Sequence, residues 1–589
     1  DSDTCTISGE TINGSVTPWH NRNPGGDSIG KTLIIDNGTR ITQGNQASTY
    51  AASVRNGKAD NNTLIINGGS VLDVYYLSGG KVNAPNVSSS ASGNSVTISG
   101  ENTRVTGRES ITGAWTFGAG TANDNSITIK EGATVSGNIY AGESHNGEVS
   151  RNKVIIDSAT VTGGHQILGG NAKNNGKANE NSVVIRGNAV VNANITGGGS
   201  ELNNGGGPKE ANNNEVIIDG TAQIIGTITG GESFQADGTA NFNKITIGQN
   251  ANISQVTQIT GATSAQGTAN NNELNIAGSV AASTTVTGGI GSTDASDNNI
   301  LISGDSAGAV IGGKSDTGTA NNNDITIGGN ATGNITGSIG QTGADNNNIS
   351  VGGSVDSDVI GGQSAQGTAN NNDITIGGNS TGNITGSIGQ TGAENNNISV
   401  AGSVGGNVIG GKTDSGSAGN NIINIDGNTN GNIIGGQTND PNGQTSGNKI
   451  TANGNVDGNI YGGYNEATQK VQGSNNTITL SGDLNKVTGD IQVGDIASNG
   501  GTGNTLNINT KNPVTLGGKT NGAQNINIAV GNLGAGDAAV TIGPNGSIDV
   551  GGTTISAELK VKDNFNHGDT LKLFQTQGNA KIEGEANSV

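Results

Sequence analysis

The side chains that most often carry catalysis are few and widely separated in this sequence. The four histidines, His20, His145, His165 and His567, stand in different segments and in no metal-ligand spacing. A zinc centre or a nucleophile–histidine pair is therefore poorly supported. The segment Gly304–Gly308 reads GDSAG and places a serine in a glycine-rich turn. Because other repeats have an equivalent glycine-rich turn at this point, we interpret the segment as structural.

Acidic residues could bind calcium or cleave a glycan, but no arrangement of either kind recurs. Asp356 and Asp358 stand close together, whereas the sister repeat has Gly405 and Asn407. The nonapeptide typical of calcium-binding β-rolls does not recur. Close carboxylate pairs with basic partners, which a polysaccharide-cleaving solenoid needs, do not recur either. We therefore expect no catalysis, no metal site and no cofactor, with calcium binding by scattered Asp residues and an enzymatic solenoid kept as alternatives.

Charge and composition exclude several classes of partner. The 589 residues carry a formal net charge of −20, with 105 Gly and 13% charged residues. An acidic surface repels phosphates and anionic lipid heads, so we expect no nucleic acid partner and no membrane insertion. The single cysteine, Cys5, cannot form an intrachain disulfide. We interpret it as an unpaired thiol, with cross-linking of two chains as the alternative.

The chain is built from internal repeats. Gly318–Gly362 and Gly367–Gly411 are offset by 49 residues, and only six of their 45 positions differ. Each block contains two related halves, because NNNDITIGG is echoed by NNNISVGG. The smallest unit is therefore about half of the offset, which is typical of a solenoid repeat.

Each unit carries an anchor that reads Asn, any residue, apolar, any residue, apolar. Alternation of apolar residues with a variable position predicts a half-buried β-strand. Successive anchors are 24 to 33 residues apart, and we expect their Asn side chains to stack and hydrogen-bond to one another. The anchors begin at Asn62, Asn94, Asn125, Asn152, Asn181, Asn214, Asn243, Asn272, Asn298, Asn323, Asn347, Asn372, Asn396, Asn421, Asn448, Asn476 and Asn504.

A second apolar group follows each anchor and often ends in Gly-Gly or Ala-Gly, as in NIYAGE from Asn138 and NIYGGY from Asn459. One such unit cannot bury its own apolar face, so stacking is required. The sequence predicts an all-β, right-handed parallel β-helix of about eighteen coils. Residues 1–30 are predicted to cap it, 31–517 to form the solenoid, and 518–589 to form further coils and a cap or a junction to a translocator domain.

Aromatic residues are rare, and an exposed aromatic often marks a binding surface. In the Gly-Gly strands the residue after Ile is expected to point outward, and the loop Ser200–Ala211 is an insertion that departs from the repeat. Packing at a cap or rim is the alternative for each aromatic. The candidate ligand or self-association surface comprises Tyr75, Tyr76, Trp115, Tyr140, Tyr461 and Tyr464.

Short N-x-I-x-I strands, Gly-Gly turns, Ser/Thr/Asn-rich loops and almost no Cys resemble the passenger domain of a bacterial monomeric (type V) autotransporter, of the AIDA and pertactin type. The resemblance covers residues 31–517, and NHGDTLKLF from Asn566 is similar to the closing stretch of such passengers. It implies display on the cell surface through a C-terminal outer-membrane β-barrel that this sequence does not include. The start at Asp1 without a signal peptide is likewise expected of a processed or engineered fragment.

The expected function is that of an extracellular adhesin in cell–cell aggregation, biofilm formation or host attachment. Its partners would be a protein or glycan on a host or bacterial surface, and identical copies on neighbouring cells. Two alternatives stay open: a polysaccharide-binding or polysaccharide-cleaving β-helix protein, and a passive structural stalk.

Overall fold

We describe the fold from a computed structural model of the chain, which covers residues 3–42, 47–83, 89–174, 176–199, 208–495, 502–560 and 565–589. Within these ranges the side chains of residues 164 and 165 are left aside. Residues 200–207 of the predicted insertion lie outside the described residues. The chain divides into two compact units, the first of residues 1–309 and 313–316 and the second of residues 310–312 and 317–589.

The anchors and the equivalent segments towards both ends of the chain form strands, and these strands pair in parallel within each unit to make the anchor sheet. In the first unit the anchor-sheet strands are Thr4–Ser8, Thr32–Asp36, Thr63–Ile66, Ser95–Ser99, Ser126–Lys130, Lys153–Asp157, Ser182–Arg186, Glu215–Ile218, Lys244–Ile247, Glu273–Ile276 and Asn299–Ile302. In the second unit they are Asp324–Ile327, Asn348–Val351, Asp373–Ile376, Asn397–Val400, Ile422–Ile425, Lys449–Ala452, Thr477–Gly482, Thr505–Thr510, Asn525–Ile528 and Thr554–Ala557.

The Gly-Gly segments form a second sheet that is also parallel within each unit. Its strands in the first unit are Thr11–Asn13, Trp19–Pro24, Arg40–Thr42, Thr49–Asn56, Val71–Val82, Arg104–Thr116, Thr134–Ser144, Thr160–Ala172, Val190–Gly199, Gln223–Ser233, Asn252–Ser264 and Thr285–Gly291. In the second unit they are Ile335–Gly340, Val359–Ser364, Ile384–Gly389, Val408–Ile409, Lys412–Thr413, Ile433–Ile434, Gln437–Thr438, Ile460–Tyr461, Tyr464–Asn465, Ile491–Gln492, Lys519–Asn521, Ser547–Asp549 and Lys581–Glu583. The unit boundary falls within the strand Val310–Ser315.

The second unit has two further elements. A short strand, Lys470–Val471, pairs antiparallel with Tyr464–Asn465. A third parallel sheet comprises Lys486–Val487, Val514–Leu516, Ala538–Ile542 and Lys572–Thr576. The described residues contain no helix, and the repeated parallel pairing confirms the predicted β-solenoid, with about nineteen coils.

Apolar residues of the anchors fill the interior as columns. In the strand Asp373–Ile376, Ile374 is fully buried while the alternating Thr375 is exposed. Ile374 lies in register with Ile349 and Ile398, which are equally buried. Burying such side chains contributes about 1.5–3 kcal/mol each, so stacking supplies the core that one coil lacks.

The anchor asparagines stack inside the solenoid, as predicted. In the first unit each Nδ2 from Asn62 to Asn272 donates to Oδ1 of the next anchor Asn at 2.9 to 3.2 Å. In the second unit the same bonds run from Asn323 to Asn448 at 2.8 to 3.2 Å. The same Oδ1 also accepts from the backbone N–H of the preceding anchor, as Asn372 Oδ1 does from Asn347 N at 2.9 Å. The buried amides therefore satisfy one another.

The ends of the chain continue the coil pattern. Residues predicted as an N-terminal cap include the strand Thr4–Ser8, which pairs in register with Thr32–Asp36. Near the other end, Asn525–Ile528 and Thr554–Ala557 extend the anchor sheet beyond residue 517. In the described ranges, no helix is long and apolar enough to cross a membrane.

Candidate functional site

The strands of the second sheet of the first unit bend at their glycine pairs. The stacked anchor asparagines, which we call the asparagine ladder, lie behind this bend. A Cβ added at Gly197 would lie 2.9 Å from Asn214 Cβ and overlap the carbonyl oxygen of Gly230. A Cβ added at Gly198 would lie 2.6 Å from the carbonyl oxygen of Ala178. At these two positions only glycine fits, because the anchor asparagines and the backbone of neighbouring coils occupy the space that a Cβ would need.

The bend makes the outer face of this sheet concave. Ile195 and Ile228 point into the core and are fully buried, so the next residues, Thr196 and Thr229, point outward. Thr196 and Thr229 are nevertheless only 6% and 7% exposed. The two halves of each bent strand therefore shelter the outward side chain between them and form a groove.

The residues at the bottom of the groove, which we call the floor column, follow one another in register from coil to coil. Their exposures range from 1% for Tyr140 to 7% for Thr260. The floor column comprises Tyr140, Leu168, Thr196, Thr229, Thr260 and Thr287. The preceding coils place Tyr50, Ser78 and Thr112 in the same line.

An aromatic cluster occupies the groove in the coil of Tyr140 and in the two coils before it. The rings of Tyr76 and Trp115 stack at 5.3 Å with an interplanar angle of 15°. Tyr75 meets Tyr76 edge-on at 4.8 Å. Phe117 and His145 lie 4.5 Å apart, and each lies 6.4 Å from Trp115. These five residues form the aromatic cluster.

Lys81 packs against one side of the aromatic cluster and covers it. Its Nζ stands 4.3 Å from the Trp115 ring centroid and 4.5 Å from that of Tyr50, and it donates to Tyr50 Oη at 3.0 Å. Such cation–π contacts stabilise a desolvated ammonium. Burial lowers the pKa of Lys81 to about 8 and raises the pKa of Tyr50 to about 12.

On the other side of the Tyr76–Trp115 stack lies a cavity of about 270 Å³. Glu143 and Lys173 form a buried ion pair in its wall, with Nζ and Oε1 2.9 Å apart. Burial, and secondarily the Lys173 charge, lower the pKa of His145 to about 4, so its imidazole is neutral at pH 7. The cavity is lined by Tyr76, Glu109, Ser110, Trp115, Phe117, Tyr140, Glu143, His145 and Lys173.

One further carboxyl group lies along the groove. Desolvation raises the pKa of Glu232 to about 7, while a hydrogen bond with Thr229 opposes the shift. The register from Glu143 through Asn171 and Gly199 places Glu232 three coils further along, about 14 Å away at a coil spacing of about 4.8 Å. Glycosidase carboxyl pairs stand at most about 9.5 Å apart, so Glu143 and Glu232 cannot act together on one bond.

In the second unit the equivalent strands carry a second aromatic pair. Tyr461 and Tyr464 flank Gly462 and Gly463, and their rings stack at 5.4 Å and 16°. A cavity of about 310 Å³ also lies on this face, lined by Asp358, Val359, Ile360, Asn383, Thr385, Ile388, Asn407, Ile409 and Lys412.

The structure groups the candidate aromatic residues and corrects one detail of their placement. Tyr76 contacts both Tyr75 and Trp115, whereas Tyr461 and Tyr464 make a separate pair. Tyr140 points outward as expected but is 1% exposed, because the concave groove covers it. It still lines the cavity beside Trp115.

Sequence reasoning missed Tyr50, Lys81, Glu143 and Lys173 and set His145 aside. A signal was present: Lys81, Trp115 and Glu143 each follow the small pair at the bend of successive strands. Aligning the coils on that pair puts the three residues in one column, and the pairing register does the same.

Among the described residues, no group of three or more His, Cys, Asp or Glu side chains is close enough together to hold a metal ion. The free Cys5 is partly exposed. Fold and groove together define a parallel β-solenoid with an aromatic-lined concave face. No family model, curated protein or solved structure matches this chain.

Proposed function

We propose that this chain is the passenger of an autotransporter adhesin and attaches bacterial cells to a host surface or to one another. The observation that carries the proposal is the aromatic cluster at one end of a concave groove, beside a cavity of about 270 Å³. Aromatic rings that shape a recess with a few polar groups are typical of binding sites. Display outside the cell rests on the sequence resemblance alone.

The arrangement of side chains in the groove favours adhesion over catalysis. The two carboxyl groups sheltered in the groove, Glu143 and Glu232, are too far apart to serve as a hydrolytic pair. Glu143 is further neutralised by Lys173. A repeated surface, in contrast, can add many weak contacts to a useful total.

The test is adhesion by cells that display the chain. We expect displaying cells to aggregate or to attach to host cells more than bare cells, and Trp115→Ala to reduce the effect. Thr128→Ala is the matched control, because Thr128 lies on the outer face of the anchor sheet, away from the groove. Equal adhesion by displaying and bare cells would contradict the proposal. If Thr128→Ala reduced adhesion as much as Trp115→Ala does, the groove would not be the adhesive surface.

Polysaccharide cleavage is the second candidate, and Glu232 is the observation that favours it. A carboxyl group with its pKa raised to about 7 can act as a general acid near neutral pH. Incubation with a glycan panel, followed by mass spectrometry, would show shortened products that Glu232→Gln abolishes. Intact glycans after prolonged incubation would exclude this activity.

A further inference from the structure

Beyond the aromatic cluster, most side chains that line the groove of the first unit are neutral and polar, and the exceptions are the apolar Leu168 and the carboxyl group of Glu232. Thr196, Thr229, Thr260 and Thr287 supply hydroxyl groups along the floor column. One wall continues with Asn and Gln amides and Thr hydroxyls, namely Asn138, Gln166, Asn194, Thr227, Gln258 and Thr285. Such a surface offers donors and acceptors at each coil and no array of charges.

The groove is blocked at one end. Tyr76 stands before the bend on one half of its strand, and Trp115 stands after the bend on the next strand. Their stacked rings therefore cross the floor from opposite sides. Lys81 and Tyr50 fill the space behind Trp115. A chain lying in the groove must end at this wall.

The cavity in front of the wall has the size and chemistry for one sugar ring. Its volume of about 270 Å³ lies just below the range of about 300–1,000 Å³ usual for larger organic ligands. Trp115 and Tyr76 offer aromatic surface to the C–H face of a pyranose, while Glu109 and the Glu143–Lys173 pair can bond its hydroxyl groups.

The charged side chains around the cavity favour a neutral sugar over a charged one. Lys173 is already paired with Glu143 at 2.9 Å, so it is not free to hold a sulfate or uronate group. Glu109 lies in the same wall and repels anions. A cationic ligand is disfavoured as well, because Lys81 already occupies a face of Trp115 at 4.3 Å.

We propose that this recess binds the terminal ring of a neutral glycan, whose following residues lie along the floor column. The proposal rests on the adhesive function above and names its ligand class. Adjacent coils are about 4.8 Å apart, close to the length of one extended pyranose residue. The floor column spans five coil steps from Tyr140 to Thr287, about 24 Å, enough for about five sugar residues.

The chain has only two tryptophans, which makes the test direct. In a Trp19→Phe variant, Trp115 is the sole indole, and its emission reports on the recess. We expect neutral oligosaccharides to change this emission and affinity to rise with length up to about five residues before levelling off. Sulfated oligosaccharides and choline are the comparison ligands, and we expect neither to bind measurably.

Variants measured by calorimetry locate the site. Trp115→Ala should weaken binding about tenfold, as expected for loss of an aromatic platform. Thr229→Val with Thr260→Val removes two hydroxyl groups at constant volume and should weaken long oligosaccharides while sparing a disaccharide. Thr128→Ala, on the outer face of the anchor sheet, is the matched control and should bind like the parent.

Three results would overturn the proposal: no neutral oligosaccharide binds, affinity ignores chain length, or an anionic or cationic ligand binds better. Blocking one chain end chemically should abolish binding, and unchanged binding would refute recognition of a terminus. If cells that display the chain adhere although the chain binds no neutral glycan, the glycan proposal is refuted and the adhesive function stands. If displaying cells adhere no better than bare cells, the adhesive function itself is refuted.

Discussion

Asn372 shows how a single side chain can hold neighbouring coils together. Its Oδ1 accepts from Asn347 Nδ2 at 2.8 Å and from Asn347 N at 2.9 Å, and its own Nδ2 donates to Asn396 at 3.2 Å. All three asparagines are at most 1% exposed. Because no water reaches these groups, each bond that is lost leaves a buried donor or acceptor without a partner.

Asn372→Ala should therefore destabilise the second unit. Two donors of Asn347 would be orphaned, at a cost of about 1–3 kcal/mol each. Urea denaturation followed by circular dichroism measures the change. Asn371→Gly is the control, because Asn371 is exposed with φ of 55°, which glycine also adopts. A cost for Asn372→Ala no larger than that of the control would show that the ladder is not stabilising.

The lowered pKa of His145 predicts that the stability of the protein depends on pH. Its folded-state pKa of about 4 lies below the ordinary 6.5, so the unfolded chain binds the proton more readily. The contribution of neutral His145 is complete above pH 6.5 and is lost progressively between pH 6.5 and 4. Melting temperatures of the parent and His145→Gln should therefore differ in slope only across this interval. Parallel curves would contradict the burial of the imidazole.

At the scale of one element, the bent strand depends on the ladder behind it. In the strand Ile384–Gly389, a Cβ at Gly386 would overlap the carbonyl oxygen of Gly410 and lie 2.9 Å from Asn396 Cβ. The backbone of the next coil cannot move away without breaking its own parallel pairing. Glycine at position 386 is therefore a steric requirement of the stack.

Gly386→Ala should disrupt its coil, whereas Gly392→Ala in the same repeat should not. A Cβ at Gly392 would only touch Thr368 Cγ2 at 3.4 Å, an ordinary contact. Hydrogen exchange with mass spectrometry should show faster exchange around residues 384–413 for the first variant only. If both variants exchange alike, close approach at the bend is not what selects glycine.

At the scale of the whole molecule, the net charge of −20 must be carried by a folded surface. Compaction brings these charges closer than they are in the unfolded chain, and their repulsion opposes folding. Ion pairs do not reduce this net charge, because the 27 Lys and Arg are already counted against the 47 Asp and Glu. Most of the ten ion pairs found among the described residues are also partly exposed and add little stability.

Salt should accordingly stabilise the protein. Raising NaCl from about 10 mM to about 150 mM shortens the screening length from about 30 Å to about 8 Å. We expect the melting temperature to rise over this range and to level off above it. Sucrose is the control, since it stabilises without screening charge. A melting temperature that falls with added NaCl would show that attractive ion pairs dominate.

The repeat itself could be predicted from sequence because it is local. Alternation at Ile325 and Ile327 predicts a strand, and a recurring Asn at the strand start predicts a ladder. Both the anchor strands and the ladder are present, as are the glycines of the bend. Each depends on spacing within one repeat, which a sequence displays directly.

The groove, in contrast, was decided by tertiary structure. Tyr140 and Thr196 point outward by alternation, but whether they are exposed depends on how sharply the strand bends over the asparagine ladder. Contacts of Trp115 with Tyr76 and Lys81 join different coils, and their register depends on loop lengths that vary from repeat to repeat. The sequence by itself thus determined the coil, and stacking of the coils determined which side chains share a recess.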